Sequence, residues 1–73
     1  MSKLPQVSGS DVVRALRRAG FCVLRQHGSH TIMRRPSPFA QTVVPNHRQI
    51  DRGTLRAILR QTDLSVDDFT RLL

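Results

Sequence analysis

The chain is 73 residues long and basic, because 12 lysines and arginines oppose only five aspartates, for a formal net charge of +7. A chain of this length buries only about 60% of its unfolded surface, so we expect one small domain, residues 1–73, with a thin core. It has no run of about 18 apolar residues, no apolar stretch near its N-terminus and a single cysteine, Cys22. These features predict no membrane span, no secretion signal and no internal disulfide, and they favour the reducing cytoplasm.

Arginine carries almost all of the positive charge, since only Lys3 among the 12 basic residues is a lysine. A guanidinium group binds phosphate through two parallel hydrogen bonds, so this bias favours a nucleic-acid partner. A genome that prefers arginine codons is the alternative explanation. The aromatic residues are three phenylalanines, too few for a surface that stacks single-stranded bases.

The first predicted element is an amphipathic helix of about three turns. We expect Met1 to Val7 to form a loose arm before it, because Pro5 disfavours helix there. Ser8, followed three residues later by Asp11, matches a capping box, and Gly20 is a typical helix stop. Apolar residues recur at helical spacing and arginines cover the other side: Val12, Val13, Leu16 and Ala19, against Arg14, Arg17 and Arg18.

Three strands are predicted in the middle of the chain, rich in β-forming residues and bounded by glycines and prolines. Cys22 is expected to be a small apolar filler within the first strand. Apolar residues occur on both faces, so alternation does not decide which way His30 points. The predicted order is strand Phe21–Arg25, turn Gln26–Ser29, strand His30–Arg35, loop Pro36–Ala40, and strand Gln41–Val44, which Pro45 closes.

The C-terminal third predicts two helices after the polar connector Asn46–Arg52. Asp51 caps the first of them, and Ser65 with Asp68 forms a second capping pattern for a short last helix. The fold class that follows is α+β: α-β-β-β-α and a short C-terminal helix, packed on a three-stranded antiparallel sheet. The side chains expected to face inward are Leu55, Ile58, Leu59 and Thr62 of one helix and Val66, Phe69, Leu72 and Leu73 of the other.

Several kinds of active site are disfavoured by the sequence. His27 and His30 are three residues apart, which on one strand would point them to opposite faces, and no cysteine pair or nearby carboxylate completes a metal site. We therefore expect no metal and no cofactor. The chain also lacks a nucleophile elbow, a phosphate-binding glycine loop and paired carboxylates outside a helix start, where Asp67 and Asp68 favour the helix dipole.

The residue types that remain as candidates for an active site are histidine and arginine. A histidine and an arginine suffice for cleavage of RNA through its own 2′-hydroxyl group. The substrate carries the nucleophile, so the protein needs to supply only proton transfer and cationic stabilisation of the phosphorane. His30, after Gly28 and Ser29, is the candidate acid or base. His47 is either a phosphate-binding or second proton-transfer group, or a polar loop residue.

Five short motifs, taken together, resemble the HicA toxin family over nearly the whole chain. They are Ser8-Gly9-Ser10, Leu16 to Phe21, Gly28-Ser29-His30, Val43 to His47, and Gly53 to Gln61 with Leu64-Ser65.

The HicA resemblance implies a fold like a double-stranded-RNA-binding domain and a metal-independent ribonuclease, an mRNA interferase, that a HicB antitoxin neutralises. It implies His30 as the catalytic residue. Many relatives carry a second histidine directly after the first, where this chain has Thr31. The RNA-binding residues that we predict are Gly28, Ser29, Arg34, Arg35, His47 and Arg48.

Two other functions remain open from the sequence. The same basic domain could hold duplex RNA by shape without cutting it, through phosphates and 2′-hydroxyls. It could also be a DNA-binding accessory protein that acts only within a complex. Incubation with RNA separates the first alternative from a nuclease, and a preference for duplex DNA would support the second.

Overall fold

The computed structural model describes residues 3–73, so Met1 and Ser2 of the expected arm lie outside the described residues. Three strands form one antiparallel sheet in the order β1-β2-β3, and the helices pack on one of its faces. The predicted α+β fold, with the arrangement of a double-stranded-RNA-binding domain, is confirmed. The elements are α1 (Gly9–Arg18), β1 (Cys22–His27), β2 (His30–Pro36), β3 (Phe39–Pro45), α2 (Arg52–Thr62) and α3 (Val66–Leu72).

Each helix begins where the sequence places a capping residue. The Ser8 hydroxyl accepts a hydrogen bond from the Asp11 amide at 3.1 Å, and the Asp11 carboxylate accepts one from the Ser8 amide at 3.0 Å. The backbone hydrogen bond from Ser8, more than any other contact, lowers the pKa of Asp11 below its usual 3.8. The side chains of Asp51 and Ser65 cap α2 and α3 by accepting hydrogen bonds from the Thr54 and Asp68 amides. These caps pair amide groups that the first turn of a helix leaves without partners.

The hydrophobic core lies between the helices and the sheet. Phe21, Met33 and Phe69 are at most 2% exposed, and burial of such a side chain stabilises a fold by about 1.5–3 kcal/mol. The predicted inward faces are largely confirmed. Buried helix residues are Leu16, Leu55, Ile58, Leu59, Thr62 and Phe69, with Val66 and Leu72 partly buried.

The prediction of a loose N-terminal arm is wrong for the described residues. Leu4 and Val7 are buried in the core, and the Ile50 amide donates a hydrogen bond to the Val7 carbonyl at 2.8 Å. Pro5 prevents a helix here, as expected, but an extended segment can still pack its apolar side chains. The arm is therefore part of the folded structure from Leu4 onward.

Three details of the predicted sheet and C-terminus also need correction. The expected loop Pro36–Ala40 is a two-residue turn, because Pro36 pairs with Phe39 at the closing end of the β2–β3 ladder. Cys22 is exposed and fills no core position, because it pairs with Arg34 on the sheet face away from the helices. Leu73 follows the end of α3 and is 45% exposed, so it does not face inward.

Candidate active site on the open face of the sheet

The helices cover one face of the sheet and leave the other open to solvent. On β2, Thr31 and Met33 are buried against the helices, whereas His30 and Arg34 are exposed and Ile32 is half-buried. Alternate residues of a strand point to opposite faces, so His30, Ile32 and Arg34 lie on the open face. The direction of His30, which the sequence left undecided, is therefore toward solvent on that face.

The turn between β1 and β2 places a second histidine beside His30. Gly28 and Ser29 form a two-residue hairpin turn, with a φ of 60° at Gly28, and His27 and His30 are the pair that closes it. A positive φ at the first central residue is the reason this turn favours glycine. The prediction that His27 and His30 point to opposite faces is wrong, because the chain reverses between them and makes them direct cross-strand neighbours.

A β-bulge brings an arginine to the same face. Val23 pairs with Met33 on the helix-covered face, and the next pair joins Arg25 to Ile32, which leaves Leu24 as an extra residue. Regular alternation would have put Arg25 on the helix side of the sheet. The extra residue reverses the alternation and turns Arg25 onto the open face, as bulges beside functional sites do.

These residues line one shallow depression of about 380 Å³: Arg25 and His27 of β1, His30 and Ile32 of β2, and Val43 of β3. Its lining therefore combines one guanidinium and two imidazoles with two apolar side chains. All five acidic residues of the chain lie at helix ends, so the strands themselves carry only positive formal charge. Such a surface attracts a polyanion.

A group of histidine, cysteine and acidic side chains that could hold a metal ion does not occur within residues 3–73. The open face carries the imidazoles of His27 and His30 and the guanidiniums of Arg25 and Arg34, which can stabilise negative charge.

Comparison with protein families identifies the chain. Residues 9–64, from the start of α1 to just beyond the end of α2, match the family model described as "HicA toxin of bacterial toxin-antitoxin". The chain belongs to the HicA toxin family. It is therefore the toxin of a toxin–antitoxin pair, which implies a cognate antitoxin as its partner. The comparison with curated proteins gave no match. Within the described part of this HicA toxin, no helix combines the length and the hydropathy that crossing a bilayer requires.

Two of the three arginines predicted to bind RNA, Arg34 and Arg35, lie on opposite faces of the sheet in this HicA toxin. Arg34 is exposed on the open face, 5.6 Å from the Phe39 ring centre, and its Nε donates to the Gln41 side chain at 3.0 Å. Arg35 lies over the buried Phe21 ring at 4.8 Å, on the helix side, and its Nε donates to a backbone carbonyl in the β2–β3 turn. The fold thus places Arg34, and not Arg35, on the same surface as His30.

His47 and Arg48 follow the end of β3, at the end of the sheet that carries the histidine hairpin. The Asn46 amide donates to the Ser29 carbonyl at 2.6 Å, which ties this segment to the hairpin turn. The side chains of His47 and Arg48 are exposed, but neither lines the depression around His30. Arg48 instead borders a separate depression with Asp11 and neighbouring residues at the start of α1.

The position after His30 also has a defined place in the HicA fold. Thr31, which stands where many relatives have a second histidine, is 9% exposed and lies on the helix-covered face. The difference at this position therefore affects the buried side of β2. The second histidine on the open face is His27. The sequence indicates this position through the two-residue turn Gly28–Ser29, because the residues that flank such a turn pair with each other.

Proposed function

We propose that this HicA toxin is a metal-independent endoribonuclease in which His30 transfers a proton during cleavage of RNA by its own 2′-hydroxyl group. The observation that carries the proposal is the placement of His30. It is exposed on an open, positively charged sheet face, in the same depression as Arg25. The family assignment supports a toxic activity of this chain.

The reaction needs little beyond what this depression offers. The 2′-oxygen attacks the adjacent phosphorus, and the phosphorane that forms carries more negative charge than the substrate. A positioned imidazole contributes about 10²–10⁴ in rate by proton transfer, and a nearby guanidinium stabilises the developing charge. Arg25 is the cation that shares the depression with His30, and Arg34 lies further along β2 on the same face.

RNA binding is proposed to follow the open face and the hairpin end of the sheet. Arg34 would hold a phosphate, and the exposed turn Gly28–Ser29 would let the backbone of the RNA approach closely. His47 and Arg48 extend the positive surface beyond β3, so they would bind flanking phosphates at the same end. Phosphate contacts of this kind set affinity and not sequence preference.

The antitoxin is proposed to be an acidic, HicB-type protein that covers the open face. This face combines positive charge with exposed apolar side chains, since Phe39 is 67% and Val43 is 43% exposed. A protein partner can bury such side chains, and opposite charge would speed its association. The toxin and its antitoxin would meet in the cytoplasm, where the RNA substrate is found.

The proposed function is tested by incubating labelled RNA with the wild-type protein and with His30→Ala, in the presence of a metal chelator. We expect the wild type to cut and the variant to bind without cutting, because the exposed His30 side chain contributes nothing to the core. Circular dichroism checks that the variant is folded. Binding without cleavage by the wild type would instead support a non-catalytic RNA-binding module.

A further inference from the structure

His27 lies directly opposite His30 on the neighbouring strand. His27 and His30 form the closing pair of the β1–β2 hairpin, and both side chains are exposed on the open face. Side chains of directly opposite residues have their Cβ atoms about 4.5–5.5 Å apart. Both histidines, with Arg25, line the same depression.

We propose that His27 is the partner of His30 in acid–base catalysis, so that one imidazole acts as the general base and the other as the general acid. The inference rests on the proposed ribonuclease function and adds a second catalytic residue to it. A histidine that merely faced solvent from the turn could be lost with almost no effect on RNA cleavage. Its pairing with His30 gives the opposite expectation.

The chemistry uses each imidazole once. The base accepts the proton of the 2′-hydroxyl as the bond between the 2′-oxygen and phosphorus forms. The acid, protonated at the start, donates its proton to the 5′-oxygen as the bond between phosphorus and that oxygen breaks. The products are a 2′,3′-cyclic phosphate and a 5′-hydroxyl, and no oxidant, metal or added nucleophile enters the balance.

The geometry of the reaction at phosphorus explains why two separate proton-transfer groups are needed. The attacking and leaving oxygens lie on opposite sides of the phosphorus, so two proton-transfer groups must approach from different sides. Both imidazoles and the Arg25 guanidinium line the same depression, so a phosphate bound there would be within their reach. Arg25 shares the depression with the two rings, and Ile32 and Val43 complete its lining. His47 is not among the lining residues.

The first test compares cleavage of a short RNA by the wild type, His27→Gln, His27→Arg and His30→Gln over a range of pH. We expect a bell-shaped dependence of kcat/KM for the wild type, and a loss of about 10²–10⁴ in rate with one limb missing for either glutamine variant. His27→Arg places a fixed positive charge at this position but cannot transfer a proton near neutrality, so it should bind RNA and remain slow. Gln26→Ala is the control, because Gln26 pairs with Thr31 on the other face of the sheet.

A substrate with an activated leaving group separates the two roles. Cleavage of uridine 3′-(4-nitrophenyl phosphate) requires a base but not an acid, because nitrophenolate leaves without protonation. The glutamine variant that lacks the acid should recover most of the wild-type rate on this substrate, and the variant that lacks the base should not. Such a recovery identifies a proton-transfer role, which a merely structural side chain would not show.

A measurement on the wild type alone guards against variants that fail to fold. Binding of a 2′-O-methyl RNA, which cannot be cleaved, should shift the ring NMR signals of His27 and His30 together. A shift of His30 alone would overturn the inference, as would a fully active His27→Gln or His27→Arg protein. In those cases an inactive His30→Gln protein would still support the proposed ribonuclease function. A wild-type protein that does not cleave RNA would refute both the ribonuclease function and the catalytic role of His27.

Discussion

The close approach between the start of α1 and the end of β3 makes a specific prediction for Gly9→Ala. A Cβ atom at Gly9 would overlap the carbonyl oxygen of Pro45 and come within 3.1 Å of the Asn46 Cα. Both obstacles are backbone atoms, so neither can rotate away. The helix or the segment after β3 would have to move, and the hydrogen bond from the Gly9 amide to the His47 carbonyl, now 2.8 Å, would lengthen.

The expected magnitude follows from opposing effects. Overpacking of a closely packed site costs about 1–3 kcal/mol, and a weakened hydrogen bond adds up to about 1 kcal/mol. Alanine recovers up to about 1 kcal/mol of helix propensity over glycine. We therefore expect Gly9→Ala to lower the free energy of unfolding by about 1–3 kcal/mol. In a domain of this size each 1 kcal/mol lowers Tm by about 4–8 °C.

Gly53→Ala is the matched control, because Gly53 lies in the first turn of α2. Its added Cβ would meet only the Asp51 carboxylate, at 3.4 Å, which is an ordinary contact distance. This variant should be as stable as the wild type or more stable. Urea unfolding followed by circular dichroism measures both. A Gly9→Ala protein as stable as Gly53→Ala would refute the close packing of α1 on the end of β3.

Three further predictions concern the core, the helix cap and the charged face. Leu55→Ala should lower the free energy of unfolding by about 2–5 kcal/mol, measured in urea, because Leu55 is 1% exposed. The pKa of Asp11 is lower in the folded state than its ordinary value of 3.8, so ionised Asp11 stabilises the fold. This stabilisation is complete when the pH is above 3.8, and it is lost as the pH falls through the lower pKa of the folded state. The Tm difference between wild type and Asp11→Asn should therefore shrink in acid, and a difference that grew would contradict the cap. Arg34→Ala should flatten the salt dependence of RNA binding, by about 0.7 in slope for each phosphate that the variant no longer neutralises. Arg35→Ala, which takes the guanidinium away from the Phe21 ring, should lower Tm and leave the slope unchanged, and equal slopes for both variants would contradict their placement on opposite faces.

Most of the fold could be predicted because its signals are local. Capping residues and helical spacing of apolar residues indicate the helices, and glycines and prolines indicate where helices and strands end. Together these signals predict the order of the elements. The errors arose where tertiary contacts decide. Pro5 correctly excluded helix, but only the packing of Leu4 and Val7 against the core shows that the arm is ordered. Cysteine is a residue type often found in cores, but the strand register pairs Cys22 with Arg34 and so places it on the open face.

The candidate site was predicted less completely, for reasons of register. The histidine in Gly28-Ser29-His30 could be identified by resemblance, but its direction depended on which face the helices cover. The positions of Arg25 and His27 depend on the bulge at Leu24 and on the two-residue turn. A bulge cannot be recognised reliably from a single sequence. The turn can be recognised, and interpretation of Gly28–Ser29 as a two-residue hairpin turn would have predicted that His27 pairs with His30.

Cleavage through the 2′-hydroxyl of the substrate, with His30 transferring a proton, leaves characteristic ends on the products. Mass spectrometry can identify these ends after the wild type has digested one RNA without added metal. We predict a 2′,3′-cyclic phosphate on one fragment and a 5′-hydroxyl on the other, with neither formed by folded His30→Ala or from RNA that is 2′-deoxy at the cleaved position. Products with a 5′-phosphate, or equal cleavage by His30→Ala, would rule out this role of His30.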